Sequence, residues 1–319
     1  MRTLSALSGL KLSFNAKNAR EFSEGCRVFL GLWPLVFGLS ISNDQSPKIK
    51  EHKLIKQLKE LKMKICVMMK QVANKDAILR INKEGKWIEE ADLSFEVNES
   101  DGYALEEALR VREKMGGEVV VCSMGPQRVK SVIKDALARG ADRAIHVVGD
   151  NLGGVSPYTA ATLLAGAIRD EKPDLVMTGL QSDDYGYGQT GVIMAELLGL
   201  PHATIAIEVD ATGDKLRVKR ELESGWYQWY TMPFPALLTI QSGISQIRYA
   251  TLKGIMAAKK KEIKEVTPAA EALGRPSHQK IEKIYLPEKM KQTQLLGGGD
   301  AKAGAVALAE KLHSEARII

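Results

Sequence analysis

Short, continuous apolar runs alternate with helical patterns along the chain from residue 63 onward. Four such runs, at residues 64–69, 118–122, 144–148 and 174–178, carry hydrophobic side chains at consecutive positions rather than at every second one. Strands of a parallel sheet that is covered on both faces show this pattern. The sequence therefore predicts a central, mostly parallel sheet.

Amphipathic helices are predicted between these strands. Residues 100–115 and 126–139 place apolar side chains three and four positions apart, and each pattern ends at glycine. Ser156 and Pro157 open a third helix, and residues 189–198 form a fourth. Strands and helices that alternate at this spacing indicate right-handed crossovers and a doubly wound α/β fold.

Two β-hairpins and a tail extend this predicted core. Residues 78–81 turn back into 87–88, and a Gly213-Asp214 turn joins residues 205–209 to residues 216–221. After Lys261 the pattern weakens, until a short amphipathic helix at residues 301–315 closes the chain. A tail of this kind, which cannot bury itself, is expected to lie on another surface.

The first 62 residues differ from the rest. Their apolar run, residues 28–41, is interrupted by Pro34 and is shorter than the roughly 20 residues that cross a bilayer. We expect either a dispensable extension or a true translation start at Met63, with a targeting segment or a functional segment as alternatives. The expected regions are an extension at 1–62, an α/β nucleotide-binding domain at 63–261 and a partner-binding tail at 262–319.

Composition and residue spacing limit the classes of function that this chain can have. A net charge of +6 would permit nucleic-acid binding, but the basic residues are dispersed and aromatic residues make up only 6% of the chain. Cys66 and Cys122 fall in apolar runs and are expected to be buried thiols of a reducing compartment. The spacing of cysteine and histidine predicts no metal site.

The stretch GLQSDDYGYGQTG at residues 179–191 is the strongest candidate for ligand binding. Its glycines allow close backbone approach, and the helix that follows offers free N–H groups to a phosphate. Asp183 and Asp184 are expected to cap that helix or to hold ribose hydroxyls. A glycine-rich surface turn remains the alternative. The loop at residues 123–126 could face an adenine edge or be a tight turn.

No catalytic constellation accompanies these loops. The chain lacks a P-loop, the pyrophosphatase pattern S-G-G-x-D-S and a G-x-S-x-G nucleophile motif. His146 lies in an apolar strand and is expected to be a core histidine. The absence of catalytic residues favours a binding protein over an enzyme.

Residues 63–319 resemble the β subunit of electron transfer flavoprotein. The most specific match is VKRELESG at residues 218–225, followed by Gln228 and by PALLT at residues 235–239. Further matches, in the same order as in that family, are VMMKQV at residues 67–72, QTG at 189–191, RYATL at 248–252 and GIMAAKKK at 254–261.

The resemblance implies an adenine-nucleotide α-hydrolase-like fold and a β subunit that binds AMP structurally, beside FAD shared with an α subunit. The positions that match the family's nucleotide site are Met68, Asn98, Glu99, Ser100, Asp101, Met124, Asp184, Gly186, Gly188, Gln189, Thr190, Gly191 and Ala195. Electron-bifurcating relatives hold a second FAD there, reduced by NADH. A stand-alone adenine-nucleotide-binding protein is a further alternative.

The resemblance also implies partners. Residues 240–249 align with a loop that grips dehydrogenases such as acyl-CoA dehydrogenases, and Ile244 takes the place of its exposed leucine anchor. The docking residues are then Gly243, Ile244, Ser245, Arg248 and Tyr249. A quinone oxidoreductase is the expected acceptor, and the cytoplasm, or the mitochondrial matrix of a eukaryote, is the expected location.

Overall fold

In the part of the chain that the structure describes, the strands form one nine-stranded sheet and a small two-stranded sheet. A computed structural model describes residues 63–150, 152, 154–268, 279, 281–287 and 293–319. The expectations about residues 1–62 therefore lie outside the described residues.

The large sheet is parallel over most of its width. Its strands, in order across the sheet, are β11 (Ile263–Val266), β5 (Arg143–Val148), β4 (Glu118–Gly125), β1 (Lys64–Met68), β6 (Leu175–Gly179), β10 (Ala236–Ile240), β7 (His202–Thr212), β8 (Lys215–Glu221) and β9 (Tyr227–Pro233). Neighbours from β11 to β7 pair in parallel, and β7, β8 and β9 pair antiparallel. The small sheet pairs β2 (Gln71–Ala73) with β3 (Phe95–Val97).

Helices cover both faces of the large sheet, which explains the continuous apolar runs of its strands. The α-helices among the described residues are α1 (Glu99–Met115), α2 (Lys130–Arg139), α3 (Pro157–Arg169), α4 (Thr190–Leu198), α5 (Leu252–Ala258) and α6 (Ala301–Ser314). On β1, Ile65 belongs to the core that includes α1 and α2, whereas Cys66 belongs to the core that includes α3 and α4. Helices on two faces confirm the predicted doubly wound α/β class.

The predicted strands and helices are confirmed, with shifted ends. The helix expected from Pro126 starts with a 3₁₀ turn, Gln127–Val129, before α2 begins. The Gly213-Asp214 hairpin is present, but its first strand starts earlier, at His202. The other hairpin is also present, but it is short. It has one bridge, between Ile81 and Ile88, flanked by backbone hydrogen bonds from Asn82 to Trp87 (2.7 Å) and from Glu89 to Arg80 (2.8 Å).

The sheet also continues beyond Lys261, where the tail was expected to begin. Strand β11 pairs with β5 from Ile263 to Val266, so this part of the chain belongs to the α/β layer. The closing helix α6 forms as predicted but buries none of its side chains. None of the helices in the described part of the chain has the length and apolar character that a bilayer crossing requires.

Candidate functional site

A cleft opens where the order of the parallel strands reverses. Chain segments that follow β1, β4 and β6 border it, and it encloses about 190 Å³. The carboxyl ends of β1 and β6 meet here, and they are neighbours in the sheet although β6 lies far along the chain. Ligands of doubly wound folds bind at this kind of switch point.

Asp101 connects the chain segments at the base of the cleft. Its carboxylate accepts a hydrogen bond from the backbone N–H of Lys70 (2.8 Å) and another from that of Gly179 (2.9 Å). It therefore links the ends of β1 and β6 to the first turn of α1. Burial raises the pKa of this carboxyl to about 7, although the two backbone donors act in the opposite direction.

Two glycines allow the base of the cleft to pack closely. A Cβ atom on Gly179 would overlap Ser100 and the Asp101 carboxylate. A Cβ atom on Gly191 would lie 2.5 Å from Oγ1 of Thr178 and 2.8 Å from Cγ2 of Thr239. The absence of a side chain at Gly191 therefore lets the backbone at the start of α4 lie close to the strands that carry Thr178 and Thr239, as well as to the cleft.

Asn98 and the first turn of α1 shape the loop after β6. Asn98 accepts a hydrogen bond from the backbone N–H of Asp183 (2.8 Å) and donates one to the carbonyl of Gln181 (2.9 Å). Ser100 donates to the same carbonyl at 2.6 Å. Asp183 in turn accepts from the backbone N–H of Glu99 at 3.1 Å. The side chain of Asp183 therefore binds the first turn of α1 and does not cap α4, which was one of the two roles expected for it.

Asp184 is committed to an ion pair. Its Oδ1 lies 2.6 Å from Nζ of Lys70, and the same oxygen accepts the backbone N–H of Tyr185 at 2.8 Å. The second cation in the cleft lining is Arg128, whose Nη2 lies 2.8 Å from Oε2 of Glu90. Both cationic residues among the described residues of the lining are thus neutralised by neighbouring carboxylates.

The N-terminus of α4 borders the cleft through Gln189, Thr190 and Gly191. The first N–H groups of a helix have no acceptor within the helix, and the N-cap residue Gln189 makes no capping hydrogen bond with its side chain. These donors and the helix dipole favour an anionic group at this end.

The structure brings most predicted nucleotide-site residues together. The predicted residues that line the cleft are Met68, Asn98, Asp101, Met124, Asp184, Gly188, Gln189, Thr190 and Gly191. Four others do not line it. Ala195 is fully buried among core residues of α3 and α4, whereas Glu99, Ser100 and Gly186 belong to the loop contacts and turns behind the lining.

Sequence reasoning missed an aromatic wall of the cleft. Trp87 stacks on Tyr185 with centroids 5.0 Å apart, and Tyr185 stacks on Tyr187 at 5.3 Å. The ammonium of Lys70 lies 4.7 Å from the Tyr185 centroid. The alternation Tyr-Gly-Tyr at residues 185–187 was a signal for two of these rings, but nothing local indicated their contact with Trp87.

His146, Cys66 and Cys122 are buried in the sheet and lie outside the cleft lining. His146 is buried, and its Nε2 lies 3.0 Å from the carbonyl oxygen of Gly125, to which it donates. Cys66 and Cys122 are buried thiols, as predicted, and burial raises the pKa of Cys66 to about 12. The described residues include no cluster of His, Cys, Asp and Glu that could hold a metal ion.

The predicted docking loop follows β10. Contrary to expectation, Ile244 is half-buried and packs against the core rather than projecting as an exposed anchor. Tyr249, by contrast, is 89% exposed, and Leu252 beside it is 78% exposed. Arg248 holds the loop on α1 through Glu106 and Glu113. The large side chain that this loop exposes to solvent is therefore that of Tyr249 and not that of Ile244.

Comparison with known proteins identifies the family to which this chain belongs. Residues 86–271 match the family described as "Electron transfer flavoprotein domain". The electron transfer flavoprotein subunit beta of Methylophilus methylotrophus is 38% identical over 245 residues, which cover 74% of this chain and 93% of the relative. The chain belongs to the electron transfer flavoprotein β-subunit family. The mitochondrial subunit beta of Oryza sativa subsp. japonica is 34% identical over 81% of this chain and 100% of its own length.

The human electron transfer flavoprotein subunit beta is also similar, 35% identical over 65% of this chain and 82% of its own length. The shared name identifies these proteins as one subunit of an electron carrier. An electron transfer flavoprotein β subunit implies an α subunit as its partner, and its family implies flavin-related electron transfer.

Proposed function

We propose that this chain is the β subunit of a heterodimeric electron transfer flavoprotein that binds AMP as a structural ligand. In this proposal, dehydrogenases dock on it so that electrons pass to FAD held with the α subunit. The observation that carries the proposal is the cleft at the strand-order switch point, which combines the N-terminus of α4 with apolar Met68 and Met124.

An adenylate suits the chemistry of this cleft. Methionine side chains offer a polarizable, apolar surface for a purine. The uncapped first turn of α4 offers N–H groups to a phosphate. Because Lys70 and Arg128 are each paired with a carboxylate, main-chain donors would carry most of the recognition.

The electron-bifurcating alternative places a dinucleotide, a second FAD, in the same cleft. The cleft encloses about 190 Å³, and a mononucleotide demands less of this space than a dinucleotide does. We therefore propose AMP as the occupant.

Dehydrogenase docking is proposed for the surface around the loop of Gly243, Ile244, Ser245, Arg248 and Tyr249. On α5, next to the loop, Leu252 and Met256 are 78% and 57% exposed. Exposed apolar side chains grouped in this way mark protein interfaces. Helix α6, which buries none of its side chains, supports the proposal that the tail packs on the α subunit.

Co-expression with the α subunit tests the proposal. We expect a stable heterodimer that carries one flavin by absorbance and that a dehydrogenase such as an acyl-CoA dehydrogenase reduces. A heterodimer with two flavins would favour the bifurcating alternative. A chain that stays monomeric and fully functional without an α subunit would favour the stand-alone nucleotide-binding protein.

A further inference from the structure

A segment at residues 71–97 lies along one side of the cleft, and we name it the cap segment. It contains β2, the bridge between Ile81 and Ile88, and β3, and it returns the chain from β1 to α1. Its residues Trp87, Ile88 and Glu90 line the cleft. The position of the cap segment therefore helps to set how much space a ligand has.

One side of the cap segment is fixed to the turn after β4. Gln71 donates a hydrogen bond to the carbonyl of Arg128 at 3.1 Å. The Arg128 guanidinium pairs with Glu90 at 2.8 Å and lies 4.2 Å from the Phe95 centroid. Three residues of the cap segment thus contact Arg128 on this side.

The other side of the cap segment is fixed to the loop after β6 by aromatic stacking. Trp87 packs on Tyr185 with a 17° interplanar angle, and Tyr185 packs on Tyr187 at 13°. The indole N–H of Trp87 donates to Oε1 of Glu90 at 2.8 Å. Glu90 therefore joins both anchors, because its other oxygen binds Arg128. The three rings, which all line the cleft, join two of its walls.

We propose that Trp87, Tyr185 and Tyr187 are size-selectivity residues, which admit an adenine mononucleotide and exclude the second half of an adenine dinucleotide. This inference rests on the proposed nucleotide-binding function. Space that the second half would need is filled by the rings, and a dinucleotide must separate Trp87 from Tyr185 before it can enter. The part of the cleft beside the closed stack, between the α4 N-terminus and the two methionines, is the place that we assign to the mononucleotide.

The test is displacement of AMP by NAD⁺ from the αβ heterodimer. NAD⁺ carries an adenylate and a second nucleotide half. Bound and released AMP are quantified by chromatography as NAD⁺ is added. The variants are Trp87→Ala and Tyr185→Ala, with Trp87→Phe as the matched control that keeps a ring, and Trp229→Ala as a control on β9, outside the cleft lining.

We expect both alanine variants to exchange AMP for NAD⁺ at concentrations about tenfold lower than the wild type, because a stacked ring pair no longer has to open. Trp229→Ala should behave as the wild type. Trp87→Phe keeps a stacked ring but loses the hydrogen bond to Glu90, so it should stay closer to the wild type than Trp87→Ala does. Thermal melting separates folding defects from selectivity, and Tyr185→Ala decides the result if Trp87→Ala does not fold.

Equal NAD⁺ displacement in the wild type and in a folded alanine variant would overturn the inference. Loss of AMP binding in both alanine variants would also overturn it, since the rings would then be direct ligand contacts. A wild-type heterodimer that neither contains nor binds AMP would instead contradict the proposed function, so the two failures are distinguishable.

Discussion

Arg248 and Glu106 form a two-pronged ion pair across the docking loop and α1. Nε and Nη2 of the arginine lie 2.9 Å from Oε2 and Oε1 of the carboxylate, respectively. The Glu106 side chain is only 6% exposed, and its Oε2 also accepts the backbone N–H of Arg248 at 3.0 Å. The pair therefore fixes both the side chain and the backbone of the loop.

Removal of the arginine should destabilise the fold. In Arg248→Gln, the buried Glu106 carboxylate loses its cation, and we expect the free energy of unfolding to fall by about 3 kcal/mol. Urea unfolding measures the change. The matched control is Glu113→Gln, which removes the other partner of Arg248. Because the Glu113 side chain is 51% exposed, this control should cost less than about 1 kcal/mol. Equal effects of the two substitutions would contradict the structural role of the pair.

The Asp101 carboxyl should make stability depend on pH. Its pKa in the folded protein is about 7, raised from 3.8 chiefly by burial. Its contribution to stability is therefore complete below pH 4 and is lost as the pH rises toward 7, by about 1.4 kcal/mol for each unit. We expect the wild type to lose stability relative to Asp101→Asn between pH 5 and 8, as measured by urea unfolding at each pH.

A different carboxylate serves as the reference for this measurement. The hydrogen bond from Arg143 lowers the pKa of Glu171 to about 2. The stability that Glu171 contributes is lost only as the pH falls below about 4.5, outside the window used for Asp101. Glu171→Gln should therefore shift stability by a constant amount between pH 5 and 8. A stability difference between the wild type and Asp101→Asn that stays flat there would contradict the raised pKa.

Gly191 should be intolerant of a methyl group. In Gly191→Ala, the new Cβ would press on Thr178 and Thr239, so that the start of α4 must shift away from the sheet. We expect a loss of about 1–3 kcal/mol in stability and at least tenfold weaker AMP binding by calorimetry. Gly166→Ala on α3, where the Cβ meets no atom within 4 Å, should keep AMP binding and gain about 0.5–1 kcal/mol. Unchanged AMP affinity in Gly191→Ala would argue against phosphate binding at this helix end.

The docking surface should depend on Tyr249 as well as on Ile244. We expect Tyr249→Ala to lower kcat/KM for electron transfer from the donor dehydrogenase by about tenfold, because an exposed aromatic side chain is the kind of residue that dominates interfaces. Ile244→Ala should have a similar effect but also reduce stability, since Ile244 packs on the core. Nucleotide content should not change in either variant.

Trp226 provides the control for docking. It is 73% exposed and adjoins β9, which is an edge strand of the large sheet. Trp226→Ala should therefore leave electron transfer from the dehydrogenase unaffected. If it lowers kcat/KM as much as Tyr249→Ala does, the proposed docking surface is in the wrong place.

The sequence predicted the parts of the fold that depend on local patterns. Strand β1 and helix α1 follow from runs such as residues 64–69 and from the apolar stripe of residues 100–115, because parallel strands and amphipathic helices bury these positions. Strands β2, β3, β9, β10 and β11 were not predicted. Of these, β2, β3 and β11 are only three or four residues long, and in β11 two charged residues, Lys264 and Glu265, separate Ile263 from Val266 at an edge of the sheet.

The sequence predicted only those parts of the candidate site whose residues lie close together in the chain. The glycine-rich loop and the start of α4 were found, because both lie within residues 179–191. The expectation that Asp183 caps α4, one of the two roles proposed for it, was wrong, because its hydrogen-bond donor Glu99 is 84 positions away in the sequence. The contact between Trp87 and Tyr185 likewise depends on the tertiary arrangement of two loops. No sequence pattern near either residue indicates that the two rings stack on each other.

The central claim is that the cleft between β1 and β6 holds an adenylate. The most direct measurement is to denature the purified αβ heterodimer and to quantify the released nucleotides by chromatography and mass spectrometry. We predict one AMP and one FAD for each heterodimer. A heterodimer that releases FAD alone, and that does not bind added AMP in a calorimetric titration, would contradict the claim.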